Sequence, residues 1–128
     1  MTKQAKVLIV EDDIDLNNAY QLILKSAGYN IFTAYNGQEA LDVINKHGNP
    51  DVLLLDLRMP VMNGIEFLTK YNAPSHKETT VIVFSNYDAQ NEVDEAYNLG
   101  ADRYVLKARA APKELLRIVE DALELTES

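Results

Sequence analysis

The sequence contains no cysteine, which excludes disulfide bonds and thiolate chemistry. It also lacks any apolar stretch near the ~20 residues that a membrane-spanning helix requires. Residues 1–4 lead directly into a strand-like run, and no signal peptide is visible there. With 128 residues and 47% hydrophobic content, we expect a single cytoplasmic domain over residues 1–128 and no association with a membrane.

Positive charge is scarce and dispersed. Twelve lysine and arginine residues stand against 20 aspartate and glutamate residues, so the net charge is −8, and the basic residues form no stripe. We therefore expect no direct binding to nucleic acid. The glycine-rich loops that bind phosphate groups are missing from the sequence as well. His47 and His76 do not have the spacing of metal ligands.

Five apolar runs alternate with helical patterns along the chain. The strand-like runs begin near Val7, Ile31, Val52, Val81 and Tyr104. Helical patterns cover residues 16–27, 38–46, 64–72, 88–99 and the chain from 112 onward, with Asp88 as a candidate cap of the fourth helix. This alternation predicts a parallel sheet with helices on both faces, which is a three-layer α/β domain.

Polar side chains follow four of the apolar runs. Val52–Leu55 is apolar on both faces, as expected of a strand buried on both sides, and Asp56 follows it directly. The other three runs end in Glu11-Asp12-Asp13, Ser85 and Lys107. Ligands of open parallel sheets bind at the carboxyl ends of the strands. The sequence therefore predicts a site at this edge, built from acids, a hydroxyl group and a lysine.

The acidic residues Glu11, Asp12 and Asp56 converge if the first and third strands are neighbours. Two like charges about 4 Å apart repel by ~1 kcal/mol in water and ~4 kcal/mol at an effective dielectric constant of about 20. The cluster therefore needs a proton or a cation, and carboxylate oxygens with bound waters suit Mg²⁺. The simpler alternative is that Asp12, Asp13 or Asp15 only caps the first helix.

Asp56 has the chemistry of a nucleophile if a metal ion neutralises the site. Its carboxylate would attack phosphorus and form an aspartyl phosphate. Lys107 would pair with the transferred phosphoryl group, and Ser85 would donate a hydrogen bond to it. Taken singly, Asp56 and Ser85 are typical turn residues and Lys107 is a typical surface cation. Their shared position at strand ends favours the chemical role.

At this point the sequence resembles the receiver domain of two-component response regulators, the CheY-like fold. The resemblance extends from residue 7 to about residue 125, and its motifs are specific through their order and spacing. The matching segments are Val10-Glu-Asp-Asp13, Leu55-Asp-Leu-Arg-Met-Pro60, Gly64, Ser85 and Gly100-Ala-Asp-Arg-Tyr-Val-Leu-Lys107. The resemblance implies a flavodoxin-like, doubly wound sheet of five parallel strands in the order 2-1-3-4-5.

The resemblance also implies roles for individual residues. Asp56 is implied as the phosphoacceptor, Lys107 as the residue that pairs with the phosphoryl group, and Ser85 and Tyr104 as the switch residues. The implied ligands of Mg²⁺ are Glu11, Asp12, Asp56 and the backbone carbonyl of Arg58. A receiver of this kind catalyses only its own phosphorylation and dephosphorylation.

The same resemblance implies partners. The phosphoryl group would come from a sensor histidine kinase or a phosphotransfer protein. The surface of helix 4, strand 5 and helix 5 would then be read by a downstream effector, an output domain or a second copy of the chain. Phosphorylation would change this surface because a dianion biases a bistable packing arrangement.

Two positions depart from the family pattern. Ala108 follows Lys107 where the family usually has a proline in a cis peptide bond, and a non-proline cis bond costs ~2.5–4 kcal/mol. We therefore predict a trans bond with an altered loop. Asn86 follows Ser85 where a smaller residue is typical. With Arg58 and Tyr87 also near the mouth of the site, we predict restricted access for water and a long-lived phosphoryl group.

Two other functions compete with the receiver. An aspartyl phosphatase of the haloacid-dehalogenase type needs a second acid two residues after the nucleophile, and Arg58 occupies that position. A receiver-like interaction module that works without phosphorylation stays open because of Ala108 and Asn86. The presence of the complete acid, hydroxyl and lysine set makes it the less favoured reading.

Overall fold

The computed structural model describes residues 4–86, 90–109 and 111–127. Tyr87 and Asp88, which the sequence suggested at the mouth of the site and at a helix cap, lie outside the described residues. Among the described residues, no helix has the length and apolar character needed to cross a membrane.

The described residues form five parallel strands and five α-helices in strict alternation. The strands are β1 (Lys6–Val10), β2 (Asn30–Ala34), β3 (Val52–Asp56), β4 (Thr80–Ser85) and β5 (Arg103–Leu106). The helices are α1 (Ile14–Ser26), α2 (Gly37–His47), α3 (Gly64–Tyr71), α4 (Gln90–Asn98) and α5 (Pro112–Glu127). The strand order is β2-β1-β3-β4-β5, which confirms the predicted doubly wound fold. Each strand begins at the predicted residue or one residue before it.

The sheet is buried on both faces. Leu53 and Leu55 of β3 belong to the apolar cluster beneath α2, α3 and α4, whereas Leu54 belongs to the cluster beneath α1 and α5. Side chains alternate across a strand, so burial on both faces requires an uninterrupted apolar run. The predicted apolar face of α5 is confirmed in the second cluster, with Leu115, Ile118, Val119 and Ala122 buried.

The helices that follow β1, β2 and β3 begin with side-chain caps. Asp13 accepts a hydrogen bond from the backbone N–H of Leu16 at 3.0 Å, and Asn36 caps α2 in the same way. Asn63 caps α3 in a reciprocal pair with Glu66. A single acid, Asp13, therefore satisfies the start of α1, and Glu11 and Asp12 are not needed as its cap.

Candidate functional site

The strand register brings the predicted polar residues to one edge of the sheet. Across neighbouring strands, Val10 pairs with Leu55, Asp56 with Phe84, and Ser85 with Leu106. Glu11 directly follows β1, Asp56 and Ser85 end β3 and β4, and Lys107 directly follows β5. The carboxyl ends of parallel strands meet here, as the sequence predicted.

A buried ion cluster occupies this edge. Lys107 Nζ lies 2.6 Å from Glu11 Oε1 and 3.1 Å from Asp56 Oδ2. The side chain of Glu11 is fully buried, and those of Asp56 and Lys107 are 4% and 13% exposed. The Lys107–Ala108 peptide bond is trans, as predicted, and residues 107–109 form a 3₁₀ turn. The ammonium group reaches both acids despite the missing proline.

Three carboxylates at this edge form a set that fits a metal ion. One oxygen each of Glu11, Asp12 and Asp56 lies within 4.8 Å of the others, and Asp12 is exposed while the other two are buried. Glu11 Oε2 accepts the backbone N–H of Asp13 at 3.0 Å. Within the described part of the chain, Glu11 Oε1 makes its ion pair with Lys107 but no hydrogen bond of regular geometry. Three carboxylates that can each offer one oxygen to a common point are the donor set that hard divalent cations prefer.

Burial decides the charge balance of the acids. Burial and, to a smaller extent, the nearby Asp56 charge raise the pKa of Glu11 to about 7, although the contacts with Lys107 and with the Asp13 N–H oppose the rise. Burial also raises the pKa of Asp56, although the Lys107 ammonium opposes it. For Lys107 burial would lower the pKa, but the two carboxylates outweigh it and the pKa is raised. The lysine is therefore firmly charged, while each acid is held in a site that disfavours its charge.

The two predicted switch residues lie on adjacent strands. Ser85 is fully buried at the end of β4, one residue beyond Phe84, the register partner of Asp56. Tyr104 of β5 is half-buried and packs against the cluster beneath α2, α3 and α4. Its backbone N–H donates to the hydroxyl of Tyr97 on α4 at 3.1 Å. The structure thus joins the strand of Tyr104 to α4.

Arg58 links the loop after β3 to α4. Its guanidinium lies 2.9 Å from Glu92 Oε1, and the two side chains are 55% and 26% exposed. Its backbone N–H lies 3.4 Å from Asp56 Oδ1, which is a long hydrogen bond. The sequence placed Arg58 near the mouth of the site. Its partner was not predicted, because Glu92 is 34 residues away along the chain.

Two glycines allow the loop between β3 and α3 to pack closely. A Cβ at Gly64 would lie 2.6 Å from the backbone oxygen of Asp56, and the N–H of Gly64 donates to Leu57 O at 2.9 Å. A Cβ at Gly37 would lie 2.8 Å from Met62, whose carbonyl accepts the N–H of Gly37 at 2.8 Å. The loop that carries the Arg58 carbonyl is thereby held between α2 and β3.

Asn17 was missed by the sequence analysis. It is fully buried on α1, three residues before Tyr20 and seven before Leu24, which are also fully buried. This spacing places a polar residue on the apolar stripe of the helix. That mismatch between residue type and pattern was the available signal, because a buried amide requires hydrogen-bond partners.

Comparisons with known proteins agree with this geometry. The family model for the response regulator receiver domain matches residues 7–120. The transcriptional regulatory protein SrrA of Staphylococcus aureus (strain NCTC 8325 / PS 47) is 32% identical over 123 residues, which cover 96% of this chain and 49% of SrrA. The chain thus spans about half the length of this curated relative.

Solved structures show the same similarity. A CheY-like receiver domain protein from Methanospirillum hungatei JF-1 superposes with a TM-score of 0.88 at 27% identity, over 98% of each chain. The chemotaxis protein CheY4 of Vibrio cholerae superposes with a TM-score of 0.84 at 31% identity, over 94% of this chain and 99% of that one. These matches do not support a module that works without phosphorylation. The chain belongs to the receiver domain family of two-component response regulators.

Proposed function

We propose that Asp56 accepts a phosphoryl group from a sensor histidine kinase or a phosphotransfer protein. The observation that carries this proposal is the Lys107 ammonium, 3.1 Å from Asp56 Oδ2 and 2.6 Å from Glu11 Oε1, in a nearly buried site. A lysine held there is positioned to pair with phosphoryl oxygens carried by Asp56. The nearby Asp12 provides a third carboxylate and is the exposed member of the three acids.

The chemistry follows from the charges of these side chains. Glu11, Asp12, Asp56 and the backbone carbonyl of Arg58 would hold Mg²⁺, which when bound neutralises the carboxylates and the charge on the phosphoryl oxygens. An Asp56 carboxylate oxygen forms a bond to phosphorus while the bond from phosphorus to the donor histidine nitrogen breaks. Burial of Asp56 limits the entry of water. In this proposal the domain catalyses only its own phosphorylation and dephosphorylation.

The phosphoryl group would then alter the surface formed by α4, β5 and α5. Ser85 would donate its hydroxyl to a phosphoryl oxygen, and Tyr104 would change its packing beside α4. A groove of about 440 Å³ lies on this surface. Its lining includes the apolar side chains Val93, Tyr104 and Ile118 and the charged side chains Arg103, Glu114 and Arg117. An effector, an output domain or a second copy of the chain would bind here.

Amide spectra with Mg²⁺ and beryllofluoride, a phosphoryl analogue, test this function. In the wild type we expect shifts that spread from Asp56 to Ser85, Tyr104 and α4. Asp56→Asn should abolish them, whereas Asp42→Asn, at an exposed position on α2, should leave them unchanged. Shifts confined to the three acids would mean a metal site that is not coupled to the surface. No response in the wild type would contradict the proposal.

A further inference from the structure

Asn17 is a fully buried amide whose hydrogen-bonding groups are all in use. Its Nδ2 donates to the backbone oxygens of Glu11 at 2.9 Å and of Ala34 at 3.3 Å. Its Oδ1 accepts from Thr33 Oγ1 at 2.6 Å and from Gln21 Nε2 at 2.8 Å. Two donors and two acceptor sites are the full capacity of an asparagine side chain. Because carbonyl oxygens only accept, these partners also determine which way the amide points.

These hydrogen bonds hold the backbone of Glu11 on both sides. The N–H of Glu11 donates to Ala34 O at 3.1 Å, and its carbonyl accepts from Asn17. Asn17 therefore ties the end of β1 to the end of β2 at the residue where the chain turns into the acidic loop. Glu11 has little freedom to tilt, and its carboxylate stays directed at Lys107.

The choice of an amide at this position needs a reason beyond packing. An apolar side chain would satisfy the buried stripe of α1 and would not require four matched partners. It would also leave the carbonyls of Glu11 and Ala34 without the Asn17 donor. Such a change would free the Glu11 peptide to rotate.

We propose that Asn17 is a positioning residue for the metal site and acts through the main chain of Glu11. This inference rests on the proposed function, since it assumes that Glu11, Asp12 and Asp56 hold Mg²⁺. Groups that orient metal ligands without touching the ion typically change metal affinity by about 10–100-fold when they are removed. Asn17→Ala should therefore weaken Mg²⁺ binding by about ten-fold or more, although no ligand is altered.

The matched control is Thr33→Val, which keeps the shape of the side chain. It removes one donor to Asn17 Oδ1 and leaves both Nδ2 hydrogen bonds in place. The dissociation constant of Mg²⁺ is measured by titration of the amide spectrum, and the stability of the metal-free protein by urea unfolding. We expect both variants to lose stability, and only Asn17→Ala to lose Mg²⁺ affinity.

Wild-type Mg²⁺ affinity in Asn17→Ala, with reduced stability, would overturn the inference and leave Asn17 a purely structural residue. Equal loss of affinity in Thr33→Val would overturn it as well, since the effect would then follow stability. If Asn17→Ala does not fold, Asn17→Ser provides the test, because its shorter side chain cannot reach both carbonyls and should bind Mg²⁺ more weakly. A wild type that binds no Mg²⁺ would refute the proposed function, and the inference with it.

Discussion

Val61 is expected to hold measurable backbone strain beside the site. This residue lies in the loop between β3 and α3, has a φ of 67° and is 81% exposed. The N–H of Met62 donates to Pro60 O at 2.7 Å, so Val61 is the central residue of a tight three-residue turn. Turns of this kind with positive φ are rare and strained, and a β-branched residue there is an outlier.

Replacing Val61 with a residue that tolerates positive φ should stabilise the protein. A sparsely populated backbone region of this kind costs about 1–3 kcal/mol, and asparagine is found at positive φ more often than valine. The exposed side chain loses little buried area in the exchange. Val61→Asn should raise the free energy of unfolding by about 1 kcal/mol, or the melting temperature by about 4 °C. Val61→Gly should gain less, because glycine adds about 0.4–1 kcal/mol of freedom to the unfolded chain.

Unfolding over a range of urea concentrations measures the change in the free energy of unfolding. The control is Ile14→Asn, because Ile14 is also β-branched and 63% exposed but lies in the first turn of α1, at a negative φ. It should bring no stabilisation. Equal or lower stability in both Val61 variants would refute the argument that the turn is strained.

Four further predictions concern the acids and the Arg58–Glu92 ion pair. Mg²⁺ should raise the melting temperature, because it binds the folded cluster of acids and not the unfolded chain. Asp56→Asn should raise the melting temperature of the metal-free protein, because burial raises the pKa of Asp56 and disfavours its charge. A lower melting temperature of metal-free Asp56→Asn would show that the ion pair with Lys107 stabilises the protein by more than burial of the Asp56 charge destabilises it. In urea titrations of the metal-free protein, the free energy of unfolding should fall as the pH rises from 4.5 to about 7. In this range Glu11 keeps its proton in the folded protein, where its pKa is raised to about 7, but loses it in the unfolded chain. Glu11→Gln should flatten this slope, and an unchanged slope would assign the effect to another group. Arg58→Ala and Glu92→Gln should both shorten the lifetime of the phosphoryl group, measured as phosphate release with Mg²⁺, because each breaks the 2.9 Å ion pair that ties the loop after Asp56 to α4. Decay at the wild-type rate in both variants would contradict this.

Much of the fold could be predicted because its signals are local. The apolar run Val52–Leu55 indicates a strand that is buried on both faces. The strict alternation of strands and helices indicates a parallel sheet. Asp56 was recognisable as a candidate site residue for the same reason, since a charged side chain directly after such a run lies at the strand end where ligands of parallel sheets bind. The strand order came from the family resemblance, and the structure confirms it.

The contacts within the site could not be predicted in the same way. Lys107 and Asp56 are 51 residues apart, and Arg58 and Glu92 are 34 residues apart. Whether such side chains meet depends on which strands are neighbours and on how far each helix is displaced along the sheet.

The sequence by itself therefore determined the element types, the buried faces and the acids, hydroxyl group and lysine of the candidate site, because burial and periodicity are properties of short segments. Only the tertiary structure decided that Lys107 lies between Glu11 and Asp56, and that Asn17 holds the Glu11 backbone. It also decided that Val61 adopts a positive φ. These features depend on distances of a few ångströms between segments that are remote in the chain, and no local pattern contains that information.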